Sequence, residues 1–193
     1  SGATPWSSAN GIFYDGNGNE IKGAIAKGID VSYHNGDIDW AKVKAAGISF
    51  ALLRCGYGND ERNQDDIKFV QNVKGCEDNG IQYGVYLYSY AVDNDKEKTL
   101  EDMARSEAEH VLRMIEEAGA KPTMSVYYDI EDKSQVGMTT KQYGDMAEIF
   151  CNIVKNAGYN VGVYSNYYWW TNRLTDSRFD NWGKWVARYN NTS

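Results

Sequence analysis

Two acidic residues that lie one position apart are the first candidates for chemistry in this sequence. Asp129 and Glu131 follow an apolar run at residues 126–128. Side chains of a β-strand alternate between its two faces, so we expect both carboxyl groups to point the same way. Burial and mutual repulsion would raise the pKa of at least one of them, and glycosidic bond cleavage uses a protonated acid beside an ionised one. A strand that ends in a solvated acidic turn is the plainer interpretation.

Other polar and aromatic residues come at the ends of further apolar runs. In order along the chain they are Asp30, Arg54, Tyr57, Tyr86, Tyr88, Tyr90, Tyr164 and Asn166. The carboxyl ends of parallel strands lie at one edge of a sheet, and the active sites of parallel α/β folds form there. We therefore expect these residues to meet the two acids on one rim. A turn cap at Asp30, an ion pair between Arg54 and a buried acid, and core packing of the tyrosines are the alternatives.

The elements that would carry this rim follow a repeated pattern of helix, glycine and strand. Gly47, Gly80, Gly119 and Gly158 each end a helical segment, and they lie 33, 39 and 39 residues apart. Glycine readily adopts the left-handed conformation that closes a helix. Strands that alternate with helices at this spacing predict βαβ units and a parallel sheet.

The boundaries of several elements can be predicted from the sequence. We expect the first strand at residues 26–31, a short last strand at 184–189, and a helix that opens with a capping box at Thr139 and Gln142. Residues 13–21 predict a hairpin with an Asn/Gly turn. Six strands are too few for a closed eight-stranded barrel unless others join them. The rival is a doubly wound sheet, but residues 32–36 (SYHNG) are not its glycine-rich phosphate loop.

Composition limits the classes of partner. The 193 residues suit one domain with a full core, and the net charge of −7 without a basic run argues against a nucleic-acid surface. No apolar stretch approaches the ~20 residues of a membrane span. The 15 tyrosines and 6 tryptophans fit a sugar-binding cleft as well as a core, because their rings combine an apolar face with a polar tip.

Cysteine and histidine usage gives no sign of a metal site. Cys55, Cys76 and Cys151 are far apart and form no C-x-x-C pair, and neither His34 nor His110 has a spaced partner. We expect buried free thiols, and one disulfide stays open as an alternative.

The sequence resembles glycoside hydrolase family 25, the Chalaropsis-type lysozymes or N-acetylmuramidases. The match covers residues 24–190 in the family's order. Its segments are residues 28–36 (GIDVSYHNG), 38–40 (IDW), 54–58 (RCGYG), 84–90 (GVYLYSY), 129–131 (DIE), 162–166 (GVYSN) and 185–189 (WVARY).

This resemblance implies a TIM-like (β/α)-barrel of the (β/α)5β3 type. Residues 1–23 would be an N-terminal extension and 24–193 the catalytic domain. It also implies hydrolysis of the β-1,4 bond from N-acetylmuramic acid to N-acetylglucosamine in peptidoglycan, by a monomer at the cell wall or outside the cell. No metal or organic cofactor is required.

Residue roles follow from the resemblance position by position. Glu131 would be the general acid, with a raised pKa, Asp129 its ionised partner, and Asp30 a third acid. The 2-acetamido oxygen of muramic acid would attack the anomeric carbon, although attack by a carboxylate and an inverting route through water stay open. The predicted substrate-binding residues are Arg54, Tyr57, Tyr88, Tyr90, Tyr164 and Asn166.

One departure from the family pattern matters. The family continues past the late strand with one or two further strands, and we expect this chain to lack them. A non-catalytic peptidoglycan-binding module on a shortened barrel is therefore the main alternative. A glycosidase for chitin-like chains is a third hypothesis, but the longer acidic strand motif of family 18 chitinases is absent.

Overall fold

The computed structural model describes residues 7–9, 12–14, 28–94 and 96–187. A short antiparallel pair joins β1 (Ser7–Ala9) to β2 (Ile12–Tyr14). The predicted hairpin at residues 13–21 therefore overlaps the second strand of an earlier pair, and its Asn/Gly turn lies outside the described residues.

Six parallel strands form the sheet of the described chain, in the order β3-β4-β5-β6-β7-β8. Their bounds are β3 Gly28–Val31, β4 Phe50–Tyr57, β5 Gln82–Tyr88, β6 Val126–Asp129, β7 Val161–Asn166 and β8 Gly183–Ala187. Because the sheet order is the chain order, every carboxyl end lies at the same edge. The parallel sheet is confirmed. Residues 26–27 and 188–189 of the predicted end strands lie outside the described residues.

The sheet curls into a half-barrel. The rings of Phe50 on β4 and Trp185 on β8 lie 5.7 Å apart, although these strands are four positions apart in the sheet. Four strand spacings in a flat sheet would span roughly 19 Å. The concave face therefore brings side chains of distant strands together, as the inside of a barrel does.

Helices cover the convex face. The described ranges hold α1 Trp40–Ala45, α2 Phe69–Asp78, α3 Leu100–Ala118, α4 Thr140–Asn156 and α5 Tyr167–Asn172. The predicted capping box of α4 is confirmed, and all four helix-closing glycines have positive φ, from 59° at Gly119 to 101° at Gly158. In the described part of the chain, no helix combines the length and apolar character that a membrane span needs.

Two apolar clusters hold the sheet. The larger lies between the convex face and the helices and includes Tyr128 stacked on Phe150, with ring centroids 3.9 Å apart. The smaller lines the concave face around Leu52, Tyr86 and Tyr164. The cysteines are buried free thiols, as predicted, so the disulfide alternative is wrong.

Candidate active site

The acidic motif lies where β6 ends at the carboxyl edge of the sheet. Asp129 is the last residue of β6, and Ile130 is fully buried on the convex side among the helices. Asp129 and Glu131 face the opposite side and line one cavity. The predicted alternation is confirmed, and the solvated-turn interpretation is wrong for Asp129, which is 2% exposed.

A cavity of about 270 Å³ opens at this edge of the half-barrel, and we call it the acid cavity. Three carboxyl groups, one guanidinium and three phenol rings converge on it from five strands and from the loops after β3 and β6. Its lining residues are Asp30, Ser32, His34, Asn35, Arg54, Tyr86, Tyr88, Asp129, Glu131 and Tyr164. The convergence expected from parallel strand ends is therefore present.

Asp30 lies in β3 and is held by two phenols from across the concave face. The hydroxyl of Tyr86 donates to Asp30 Oδ1 at 3.2 Å, and the hydroxyl of Tyr164 donates to Oδ2. The two rings stack with centroids 5.6 Å apart. Burial raises the pKa of Asp30 above its ordinary value, while these hydroxyls and the Arg54 charge act in the lowering direction.

Asp129 and Glu131 behave as one acidic pair. Burial raises the pKa of Asp129 well above its usual range, and the charge of Glu131 and a hydrogen bond between the two side chains raise it further. Asp30 acts in the same direction and Arg54 opposes it. The two carboxyl groups therefore titrate together, and the form in which both are charged is disfavoured.

One oxygen of Asp129 is left for another group. Its Oδ1 atom is buried and has no hydrogen-bond partner among the described residues. Buried polar atoms without partners are rare and costly. The atom is therefore a ready acceptor for a donor that enters the acid cavity.

The segment that carries the pair is fixed by backbone contacts on both sides. Ser89 N donates to Asp129 O at 2.8 Å, and Ile130 N donates to Tyr164 O at 3.0 Å. The Ser165 hydroxyl donates to Ile130 O at 2.6 Å. These bonds tie Asp129 and Ile130 to the ends of β5 and β7.

Asn166 contacts the acidic pair from β7. Its Nδ2 donates to Glu131 Oε2 at 3.3 Å, while its Oδ1 accepts from Trp169 N as the cap of α5. The cap fixes the side chain, so the amide hydrogen points at the carboxylate. Asn166 therefore contacts Glu131 but does not line the acid cavity itself.

Arg54 is held by aromatic rings. Its guanidinium carbon lies 5.4 Å from the centroid of Tyr57 and 5.2 Å from that of Tyr88. In the described residues it forms no ion pair with a carboxylate, so the ion-pair alternative is wrong there. The guanidinium keeps hydrogen-bonding capacity for an occupant of the acid cavity, since it has five N–H donors and its bond from Nε to Gly56 O is long, at 3.4 Å.

Two of the predicted residues line a neighbouring cavity instead. Tyr57 and Tyr90 meet edge to face at 5.6 Å and belong to a cavity of about 250 Å³. We call it the tyrosine cavity, and its lining residues are Tyr57, Gly58, Asn59, Gln64, Tyr90 and Met103. Tyr88 lines the acid cavity, and its ring centroid lies 5.2 Å from that of Tyr90 in the tyrosine cavity.

Sequence reasoning omitted Ser32, His34 and Asn35 from the site. They lie in the loop after β3, where Ser32 and Asn35 form a capping box around the short 3-10 helix Tyr33–Asn35. The spacing of a serine and an asparagine directly after a strand is the signal that could have found them. Tyr86 was expected at the rim, and the structure adds that it touches Asp30.

The described residues hold no group of three or more His, Cys, Asp or Glu side chains arranged to bind a metal ion.

The match to a known family covers most of the chain. The sequence model of Glycosyl hydrolases family 25 matches residues 29–193. The chain belongs to this family. Among curated proteins, Lysozyme M1 of Streptomyces globisporus is 38% identical over 63 residues, which is 33% of this chain and 20% of that protein.

Solved structures of family 25 have the same fold. The modular autolysin LytC of Streptococcus pneumoniae matches with a TM-score of 0.80 and 27% identity, over 97% of this chain and 44% of LytC. A second LytC structure, in complex with a synthetic peptidoglycan ligand, has a TM-score of 0.79 and 28% identity. A family 25 glycosyl hydrolase from Bacillus anthracis matches at 0.69 and 18% identity, over 93% of this chain and 75% of that one. The chain thus spans a fifth of Lysozyme M1 and less than half of LytC.

Proposed function

We propose that this chain is a lysozyme that cleaves the β-1,4 bond from N-acetylmuramic acid to N-acetylglucosamine in peptidoglycan. The observation that carries the proposal is the convergence of Asp30, Asp129 and Glu131 on one cavity in a family 25 chain. The similarity to Lysozyme M1 and to an autolysin solved with a peptidoglycan ligand supports the same substrate.

In this proposal Glu131 donates a proton to the leaving oxygen. It sits at the mouth of the acid cavity, half-buried, with Asn166 holding one of its oxygens. The acetamido oxygen of muramic acid attacks the anomeric carbon, and the positive charge that develops on the resulting ring is stabilised by ionised Asp129. Glu131 then takes a proton from the water that opens the ring, and the sugar is released with retained configuration.

The proton of the pair must sit on Glu131 when the reaction starts. In the free chain burial raises the pKa of Asp129, which differs from our expectation that Asp129 is simply the ionised partner. We infer that the acetamido N–H of the substrate donates to the unpartnered Asp129 Oδ1. A donor to the charged form lowers the pKa, so substrate binding would move the proton to Glu131.

The closeness of the pair supports retention over inversion. Asp129 and Glu131 share a hydrogen bond. An inverting pair of carboxyl groups stands ~6.5–9.5 Å apart to leave room for a water molecule. Two hydrogen-bonded carboxyl groups leave no such room, which favours attack by the substrate's own acetamido group.

The remaining predicted residues would bind the sugars. Asp30 and Tyr164 line the floor, and Arg54 with Tyr88 lines the wall of the acid cavity. The tyrosine cavity has no charged side chain in its lining. We therefore assign it, with Tyr57 and Tyr90, to the neutral N-acetylglucosamine next to the cleaved muramic acid.

The architecture follows the same proposal. Residues 1–23 form an extension, 24–193 the catalytic domain, and the half-barrel belongs to a (β/α)5β3 barrel. The enzyme acts as a monomer outside the cell, at the cell wall. Light scattering of the purified chain tests the monomer, since a dimer would double the mass of 21.8 kDa.

Hydrolysis of purified peptidoglycan tests the function. We expect new reducing ends on muramic acid, and a loss of about 1,000-fold in Glu131→Gln, because general acid catalysis contributes ~10²–10⁴-fold. Glu109→Gln, the same change at an exposed position of α3, is the control. Reducing ends on glucosamine would point to a different glycosidase. Binding to peptidoglycan without hydrolysis would identify a binding module instead.

A further inference from the structure

A carboxylate lies buried behind the candidate site, on the side away from the substrate. Glu107 of α3 is fully buried between the helix and the sheet. Its Oε1 accepts from the hydroxyls of Ser89 at 2.8 Å and Tyr128 at 2.5 Å, and its Oε2 accepts from Tyr90 N at 2.9 Å. Three donors from two different strand ends therefore meet on one side chain.

Two partners of Glu107 are next in sequence to residues of the rim. Tyr128 precedes Asp129, and Ser89 follows Tyr88. Along the strands these neighbours point to opposite faces. A bond that fixes Tyr128 on the convex side therefore also fixes the direction in which Asp129 enters the acid cavity.

The network continues to the residue after Glu131. Gln135 is fully buried, and its Nε2 donates to Ser89 Oγ and to Ala91 O, each at 3.0 Å. Its Oε1 accepts from Asp132 N at 3.2 Å. The acidic motif is thus held from both sides, by Tyr128 before it and by Asp132 after it.

Helix packing alone does not account for this arrangement. An apolar side chain at position 107 would fill the interface between α3 and the sheet without the cost of burying a carboxyl group. Burial raises the pKa of Glu107 to about 7 despite the hydrogen bonds from Tyr128, Tyr90 and Ser89, so the site is a costly one. What the carboxylate provides is a set of directed bonds to the two strand ends.

We propose that Glu107 is a positioning residue for the reaction, which fixes Tyr88, Asp129 and Glu131 through Ser89, Tyr128 and Gln135. The proposal rests on the proposed lysozyme function. Removal of one bond would let the acidic pair shift, and a misplacement of about 1 Å can cost ~100-fold in rate.

A matched pair of variants tests the role. Tyr128→Phe removes the hydroxyl that donates to Glu107. Tyr83→Phe removes a partly buried hydroxyl that donates to Glu77 at 2.6 Å, at the opposite end of β5 from the rim. Both variants lose one bond between a tyrosine and a glutamate, fully buried in the first variant and partly buried in the second. Only the first loses contact with the candidate site.

The readouts are kcat and KM on peptidoglycan fragments and the titration of Asp129, followed by the ¹³C signal of its carboxyl group. The charged neighbours of Asp129 are Glu131, Asp30 and Arg54. We expect Tyr128→Phe to lower kcat about tenfold with little change in KM and to shift the titration of the pair. Tyr83→Phe should change neither kcat nor the titration of the pair, although its melting temperature should fall by a similar amount. Glu107→Gln, if it folds, should lower kcat further.

Two results would overturn the role of Glu107. One is equal kcat in Tyr128→Phe, Tyr83→Phe and the unmodified chain. The other is an Asp129 titration that Tyr128→Phe leaves unchanged. The titration does not depend on turnover. If the unmodified chain has no hydrolytic activity, the proposed function is rejected. The carboxyl titration would still decide whether Glu107 positions the acidic pair.

Discussion

Two groups of aspartates in this molecule differ in how their charges are satisfied. At the rim, Asp129 is buried beside Glu131, has one oxygen without a partner in the described chain, and its pKa is raised. In the loop after β4, burial alone would raise the pKa of Asp65, but hydrogen bonds from Arg113 and His110 outweigh it, and the pKa is lowered.

The loop cluster uses its charges to hold structure. Arg113 donates to both oxygens of Asp65, at 2.6 and 3.0 Å, and to Asp60 at 2.6 Å. The two nitrogens of His110 contact Gly58 O and Asp65. The loop of residues 58–65 is thereby fastened to α3. Among the described residues at the rim, no cation forms an ion pair with Asp129, and such unsatisfied, perturbed carboxyl groups are typical of functional sites.

Replacement of Asp129 should give the largest effect, and it should change activity and stability in opposite directions. We expect Asp129→Asn to lower kcat by about 100- to 1,000-fold, because the charge that stabilises the transition state is lost. The free energy of unfolding should rise by about 1–2 kcal/mol, because a buried carboxyl beside another is removed. Kinetics on peptidoglycan and urea unfolding measure the two effects. A variant that is both less active and less stable would contradict this separation.

The pH dependence of stability sharpens the contrast, because Glu107 is buried and forms no ion pair in the part of the chain that the structure describes. Its pKa is about 7 in the folded chain, against an ordinary value of 4.5. The folded state therefore binds more protons than the unfolded state between these values, and stability falls as the pH rises through this window, by up to roughly 3 kcal/mol.

Urea unfolding at pH 4.5 and pH 7.5 measures this dependence. Asp129 contributes in the same direction, so the comparison uses single variants. The free energy of unfolding should depend less on pH in Glu107→Gln than in the unmodified chain. The same should hold for Asp129→Asn. An unmodified chain whose stability rises with pH across this window would contradict the raised pKa of both groups.

Replacement of the loop aspartate, Asp65, should lower stability, whereas replacement of Asp129 should raise it. We expect Asp65→Asn to lower the free energy of unfolding by about 1–2 kcal/mol, since Arg113 and His110 lose a charged acceptor in a partly exposed cluster. The stabilising effect of Asp65 is present at neutral pH and is lost as the pH falls through its lowered pKa. Urea unfolding and kcat of the same preparation test this. A kcat loss as large as that of Asp129→Asn would end the distinction between the two regions.

The sequence was sufficient for elements that depend on local rules. The helix-closing glycines, the capping box at Thr139 and the alternation of Asp129, Ile130 and Glu131 all follow from short-range geometry, and each is confirmed. The parallel sheet also followed, because its strands and helices alternate at regular spacing.

What the sequence could not give depends on contacts between distant strands. The curl of the sheet is what brings Tyr86 and Tyr164 onto Asp30, 56 and 134 residues away in the chain. The same curvature divides the predicted sugar-binding tyrosines between two cavities. Glu107 was hidden for a related reason: its position on α3 has helical periodicity, but its partners come from β6 and from the segment that follows β5.

The smallest effect we predict concerns Asp30. This residue lies between Asp129 and Asp65 in how its charge is satisfied, because its carboxyl oxygens accept from hydroxyls instead of a cation. Tyr86→Phe removes the donor at 3.2 Å and leaves the Tyr164 hydroxyl in place. The bond is long and the Tyr164 hydroxyl stays, so we expect a loss of about 1 kcal/mol, which lowers kcat/KM about threefold to fivefold. Because the lost donor lowered the pKa of Asp30, that pKa should rise, and the acidic limb of the pH profile should move to higher pH. Tyr164→Phe should act in the same direction, and movement of the limb to lower pH in either variant would show that Asp30 need not be ionised.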